Sequence, residues 1–333
     1  MSTANAFTFL PLGAIIQEFR VNGINIVQGF KTPEQYMQYN GPYFGETIGR
    51  IANRVAKGKI NDLNGQSYQL PVNNGPNSLH GGEQGWGKHE FEGPVNTERN
   101  GQDAVLFKYL SKNGEEGYPG TVQVSVWYVQ KKEEVNGAQQ EVLYIEYEAE
   151  LVGDEVEETA INMTNHSYFN LTGKPSIAGT EITLIANKYQ VVDGGGIPTG
   201  PIEDYPGITA GKSFTLGETE PDVDDCFVAN TDASSVPVDT RSSPLQKLVS
   251  AYHPESRIHL EVYSTEPAFQ FYTGKYIDVP AVEDLPKRAA RSGFCVEPSR
   301  YVNAINVPEY RSMMVLKKGQ KYGAKIVYRG WSA

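Results

Sequence analysis

Cysteine is nearly missing from this chain: among 333 residues only Cys226 and Cys295 occur, far apart in sequence. Two thiols build neither a disulfide framework nor a cysteine-rich metal centre, so stability has to come from a packed core. Long apolar runs are missing too. The opening stretch, Met1 to Arg20, has no basic n-region and is interrupted by Pro11, Gly13 and Glu18. It reads as neither a secretion signal nor a membrane span, and no other segment reaches the apolar length a membrane helix requires. A cytoplasmic location and no membrane partner are therefore expected. Positive charge is in short supply: 29 Lys and Arg stand against 40 Asp and Glu, a formal net charge of -11. That balance argues against nucleic acid and for a small ligand as the main partner.

Nucleotide and metal signatures are equally scarce. Asp193-Gly-Gly-Gly196 is neither G-x-G-x-x-G nor a Walker loop, and the chain has no H-E-x-x-H or similar cluster. No cofactor and no metal are expected. Convincing helix-period segments beyond three turns are absent; the best short candidate is Glu283 to Ala290, which follows soon after a proline.

What the chain has in abundance is period-two alternation. Val122, Val124, Val126 and Tyr128 share one face of a predicted strand, and Leu143, Ile145, Tyr147, Ala149 and Leu151 repeat the pattern. Ile258, Leu260 and Val262 form a third such set, and Tyr322, Ala324, Ile326 and Tyr328 a fourth. Turn signals fall between them, Asn136-Gly137 being the sharpest. No linker, low-complexity tract or fixed repeat marks a boundary. The expectation is an all-β chain forming one large antiparallel β-sandwich, a single domain over residues 1–333, with function on its loops and one concave face.

Several segments carry polar chemistry. Between Thr159 and Leu171 a strand is predicted in which Asn162, Thr164, His166, Tyr168 and Asn170 share one face, and Ile161, Met163 and Phe169 take the other. Such a polar face suits a solvent-facing strand or a cleft for a hydroxyl-rich ligand. His80 sits in Asn77-Ser-Leu-His-Gly-Gly82, whose glycines let backbone approach a ligand. Gly49-Arg-Ile-Ala-Asn-Arg54 places two guanidinium groups, Arg50 and Arg54, and an amide together. Glu297 alternates with Phe294 and Val296, and Pro298 after it enforces an extended backbone, placing a fixed carboxylate at a strand end. Ala268 to Gly274 offers an amide, Gln270, among aromatic rings, and reads equally as a core strand.

The wording and order of these segments resemble the aldose 1-epimerase (galactose mutarotase) family over almost the whole chain. The resemblance rests on Tyr43-Phe-Gly-Glu-Thr-Ile-Gly-Arg-Ile-Ala-Asn-Arg54, Asn77 to Gly82, Gly117-Tyr-Pro-Gly120, Asn165-His-Ser-Tyr-Phe-Asn-Leu171, Ile197-Pro-Thr-Gly200 and Gln270-Phe-Tyr-Thr-Gly274. It implies a β-sandwich of the galactose mutarotase type acting on a free aldose, with His166 as general acid and Glu297 as general base. It also implies sugar-binding roles for Arg54, His80 and Asp224, and Gln270, in one of the matching segments, is a further sugar-binding candidate. Two departures stand out: Asp225 occupies a place where His is common, and Ser299, Val302 and Asn303 differ from the usual residues after the base.

The chemistry fits such a pair, since anomer exchange needs one group to take the C1 hydroxyl proton and another to protonate the ring oxygen. A carboxylate beside the imidazole is expected to raise its pKa and keep it charged near neutrality. Rival readings are a hexose-6-phosphate epimerase of the same fold, with Arg54, Lys57 or Arg300 gathering a phosphate, a glycosidase pairing Glu297 with Asp224, and a sugar-binding module.

Overall fold

The computed structural model describes residues 5–332. Met1 to Ala4, the start of the stretch read above as no signal, and Ala333 lie outside the described residues. Among the described residues the strands gather mainly into one nine-stranded and one six-stranded sheet, with several two- and three-stranded pieces around them.

The four alternating segments form the centre of the large sheet. Val122–Val135 pairs with Ala138–Leu151, which pairs with Lys321–Ser332, which pairs with Ile258–Ser264, each time antiparallel. Asn136 and Gly137 close the first hairpin with φ of 51° and 79°, the two left-handed conformations a two-residue I′ turn demands.

The small sheet runs Tyr168–Phe169, Phe294–Ser299, Ala268–Tyr272, Asp224–Val228, Lys188–Val192 and Pro198–Asp204. Its inner face carries Phe169, Phe227, Phe269, Phe271, Phe294 and Val296. These join Val124, Val126, Leu143, Ile145, Leu260 and Ile326 of the large sheet in one buried cluster. The two sheets thus form the expected sandwich, in which burying each such side chain contributes about 1.5–3 kcal/mol. The same alternation that turns these residues inward turns Gln270 and Glu297, directly opposite one another in the ladder, to the outer face.

Two expectations need correcting. Glu283 to Ala290 is not helical: Glu283 has φ of 52°, which no right-handed helix admits, and bridges at Val282–Leu285 and Val279–Arg288 fold the segment back on itself. The α-helix among the described residues is Pro33–Tyr39, started by the Thr32 hydroxyl accepting from the Gln35 amide and by proline in its first turn. The segment from Thr159 to Leu171 is also not one strand. It breaks into Glu158–Ala160, Thr164–Asn165 and Tyr168–Phe169, each paired with a different partner.

No helix among the described residues is long and apolar enough to cross a membrane.

Candidate active site

An open cleft of about 600 Å³ lies on the outer face of the small sheet. Three neighbouring strands supply its floor. Glu297 comes from Phe294–Ser299, Gln270 and Tyr272 from Ala268–Tyr272, and Asp224 from Asp224–Val228. Glu297 sits inside its strand rather than at its end, because pairing with Ala268–Tyr272 continues through Pro298 and Ser299.

The walls come from the first third of the chain. Arg54–Val55 pairs with Ser78–Leu79, and this short ladder sets Arg54 beside the loop that carries His80. Gly81, with φ of 89°, has no room for a Cβ because the Gly49 carbonyl presses against it, which explains the glycine beside His80.

His166 and Glu297 meet in the cleft. Nε2 of His166 lies 3.4 Å from Oε1 of Glu297, and each side chain is about 5% exposed. Burial raises the Glu297 carboxyl well above its ordinary range; the negative charge of Asp224 adds to the rise and Arg54 opposes it. Burial pushes the His166 imidazole down to about 3, and the Lys88 ammonium acts in the same direction. The expected rise of the imidazole pKa is therefore reversed, because desolvation outweighs a backbone hydrogen bond that acts the other way. Both groups favour their neutral forms, which leaves one exchangeable proton to lie between Oε1 and Nε2 across the 3.4 Å contact.

His80 stands edge-on to His166 with ring centroids 5.1 Å apart. The backbone N–H of Asn53 donates to Nδ1 of His80 at 3.2 Å. In the neutral ring this leaves the proton on Nε2, so His80 offers the cleft a donor. Ligand-capable atoms of His80, His166 and Glu297 lie within 4.8 Å of one another, a spacing a metal ion accepts. The Asn53 amide works against that use, since it occupies one lone pair of His80 and fixes a proton on the other nitrogen.

A chain of amides orders the rest. Asn53 Nδ2 donates to Gln270 Oε1 at 3.0 Å, and Gln270 Nε2 donates to Asp224 Oδ1 at 2.8 Å. Arg54 Nε donates to Asn74 Oδ1 at 3.1 Å, and Gly196 backs the guanidinium so closely that a Cβ there would sit 2.8 Å from Nε.

The chain matches the family model described as Aldose 1-epimerase over residues 2–329. It belongs to that family. Relatives include the Bifunctional protein GAL10 of Pachysolen tannophilus, 39% identical over 324 residues, a match covering 95% of this chain and 44% of that protein. The Galactose mutarotase of Sus scrofa is 37% identical over 308 residues, covering 90% of this chain and 81% of that one. The chain thus spans about half the length of the first curated relatives it matches. Among solved structures, the GalM/aldose epimerase homologue from C. elegans superposes with a TM-score of 0.82 at 23% identity, covering 98% of this chain and 95% of that one. The galactose 1-epimerase from Lactobacillus acidophilus NCFM gives 0.77 at 21%, covering 100% and 93%. Both support the galactose mutarotase fold.

All six candidate site residues, Arg54, His80, His166, Asp224, Gln270 and Glu297, line this one cleft. Asp225 does not; burial raises its carboxyl and the Tyr205 hydroxyl beside it counteracts that rise. The polar row predicted around His166 dissolves. Asn162 bonds the Ala52 carbonyl and the Arg300 amide, and Asn170 bonds the Ser292 and Lys174 carbonyls. These amides satisfy backbone where the strand breaks, and only His166 and Tyr168 of the row reach the cleft. Arg50 is buried as well, donating to the Pro119 carbonyl and Ser111.

The phosphate cluster does not assemble. Arg300 is fully buried, its Nη1 donating to both carboxylate oxygens of Glu266 at 2.8 and 2.9 Å, and Lys57 is exposed away from the cleft. Ser299, Val302 and Asn303 also stand outside the cleft; the Val302 amide donates to Gln190 and Asn303 accepts from Ala56.

Sequence reasoning missed Tyr43 and its support. The Tyr43 ring lies 4.9 Å from that of His80 and 5.7 Å from that of His166. Lys88 Nζ sits 4.9 Å from the Tyr43 centroid while bonding buried Glu46, whose carbonyl accepts the His166 amide at 2.9 Å. Tyr43 has φ of 69°, and its place in the Tyr43 to Arg54 motif was the available signal. Nothing local pointed to Lys88.

Proposed function

We propose that the protein is a mutarotase, an aldose 1-epimerase that interconverts the α and β anomers of free hexoses such as galactose and glucose, acting as one domain without metal or cofactor. The observation that supports it most is the 3.4 Å contact between His166 and Glu297 inside a cleft rimmed with hydrogen-bonding groups.

The one-proton pair is matched to the reaction. Once the shared proton has passed from Glu297 to Nε2 of His166, Glu297 takes the proton from the C1 hydroxyl while His166 protonates the ring oxygen, so the C1 to ring-oxygen bond breaks and C1 becomes an aldehyde. Rotation about the C1 to C2 bond exposes the other carbonyl face. Reversal of both transfers closes the opposite anomer and returns the pair to its starting proton count. An imidazolium that burial makes strongly acidic is suited to a weakly basic ether oxygen. Arg54 and the Nε2–H of His80 stabilise charge growing on oxygen, and Asp224 and Gln270 receive sugar hydroxyls.

Proton NMR of freshly dissolved α-galactose and α-glucose tests this reading. The β signal should rise faster with protein than in buffer, in proportion to protein concentration. Equilibration at the buffer rate for both sugars would overturn it.

A further inference from the structure

The strand Phe294–Ser299 touches one imidazole twice. Glu297 and Cys295 are two residues apart, so they project from the same face at a separation of roughly 7 Å along the strand. The ring of His166 lies across that interval. Its Nε2 meets Oε1 of Glu297 at 3.4 Å, and its Nδ1 meets Sγ of Cys295 at 3.5 Å. Cys295 is completely buried and is paired across the ladder with Tyr168, whose ring stacks on His166 with centroids 5.1 Å apart.

A proton that shuttles between Glu297 and Nε2 leaves the second imidazole proton on Nδ1 in both states of the pair. That N–H is buried and needs an acceptor. Sulfur is within reach. Burial holds Cys295 as a thiol, an uncharged and weak acceptor, against the opposing effect of a Tyr168 hydrogen bond at its sulfur. The other groups facing the ring are Tyr43, His80 and Tyr168, with Lys88 behind Tyr43. Tyr43, His80 and Tyr168 meet the ring through their own rings, and none of them is hydrogen-bonded to Nδ1.

We propose that Cys295 is a positioning residue for the proton donor: its sulfur receives the Nδ1–H of His166, which fixes the tautomer and makes Nε2 the nitrogen that exchanges a proton with the sugar. A neutral acceptor does this without stabilising the imidazolium as a carboxylate would, so the donor stays acidic. The proposal rests on the mutarotase reading for its consequence on rate, but the tautomer itself does not.

The test uses full-length protein with ¹⁵N-labelled histidine, the His166 resonances being assigned by their loss in His166→Asn. The wild type should show a protonated Nδ1 and an unprotonated Nε2. Cys295→Ser, whose hydroxyl also accepts, should keep that pattern; Cys295→Ala should show a mixture of tautomers. On freshly dissolved α-galactose the alanine variant should lose about tenfold in kcat with little change in KM, and the serine variant should recover most of it. If the alanine variant fails to fold, Cys295→Val fills the space without offering an acceptor and replaces it. A wild-type proton on Nε2, or an alanine variant with wild-type tautomer and kcat, overturns the proposal. Because the spectra need no turnover, a protein with this tautomer and no mutarotation would sink the functional reading alone.

Discussion

Nε2 of His166 and Oε1 of Glu297 face each other at 3.4 Å, and both side chains are almost fully withdrawn from water. Each group alone would shed its charge there. Together they hold one mobile proton, the state from which one can give while the other takes.

Removing either partner should therefore stop the cycle. Glu297→Gln and His166→Asn are each expected to lower kcat by about 10²- to 10⁴-fold with a smaller change in KM. The double substitution should cost far less than the product of the two, as for residues acting as a unit. Steady-state mutarotation kinetics on the four proteins check this; a Glu297→Gln enzyme with near-normal kcat would remove Glu297 from the mechanism.

The pH profile carries a sign. Activity requires one proton on the pair, so it falls at low pH as a second proton binds and at high pH as the only one leaves. With the imidazole pushed down to about 3 and the carboxyl raised, the acid limb should lie well below the ordinary imidazole value of about 6.5, and the base limb well above the ordinary carboxyl value of about 4.3. An acid limb of kcat/KM centred near 6.5 would show that burial does not govern His166.

Asp224 and Asp225 point to different surroundings, and kinetics should separate them. Asp224→Asn should raise KM for galactose several-fold, since Asp224 lines the cleft and accepts from Gln270. Asp225→Asn should leave both constants within about twofold. Equal effects from the two would contradict the placement.

Behind the cleft, Arg300 and Glu266 form a pair with no exposure at all. Glu266→Gln leaves the guanidinium buried without its ion-pair partner and should cost about 3–5 kcal/mol in urea unfolding. Replacing both by apolar residues of similar size should cost less than Glu266→Gln alone.

How much of this could be read beforehand differs by element. Val122 to Tyr128 and Leu143 to Leu151 show their strands openly, because a half-buried strand writes its two faces as alternation. Tertiary pairing overrode the pattern between Thr159 and Leu171, where Asn162 and Asn170 look like a ligand-binding row yet bond backbone. Glu283 to Ala290 failed for a similar reason, its propensity being overruled by a left-handed turn at Glu283. At the site, the six candidate residues named from the sequence meet in one cleft. The direction of the His166 shift was not legible, since it depends on burial by elements far apart in sequence, and the same holds for Lys88 under Tyr43.

The central claim, that this cleft exchanges sugar anomers by proton transfer alone, is tested most directly at equilibrium. In ¹H exchange spectroscopy of galactose, a catalytic amount of protein treated with chelator should transfer magnetisation between the α and β H1 signals, and Glu297→Gln at the same concentration should not. Absence of transfer with the wild type, or transfer that chelation abolishes and zinc restores, would contradict the account.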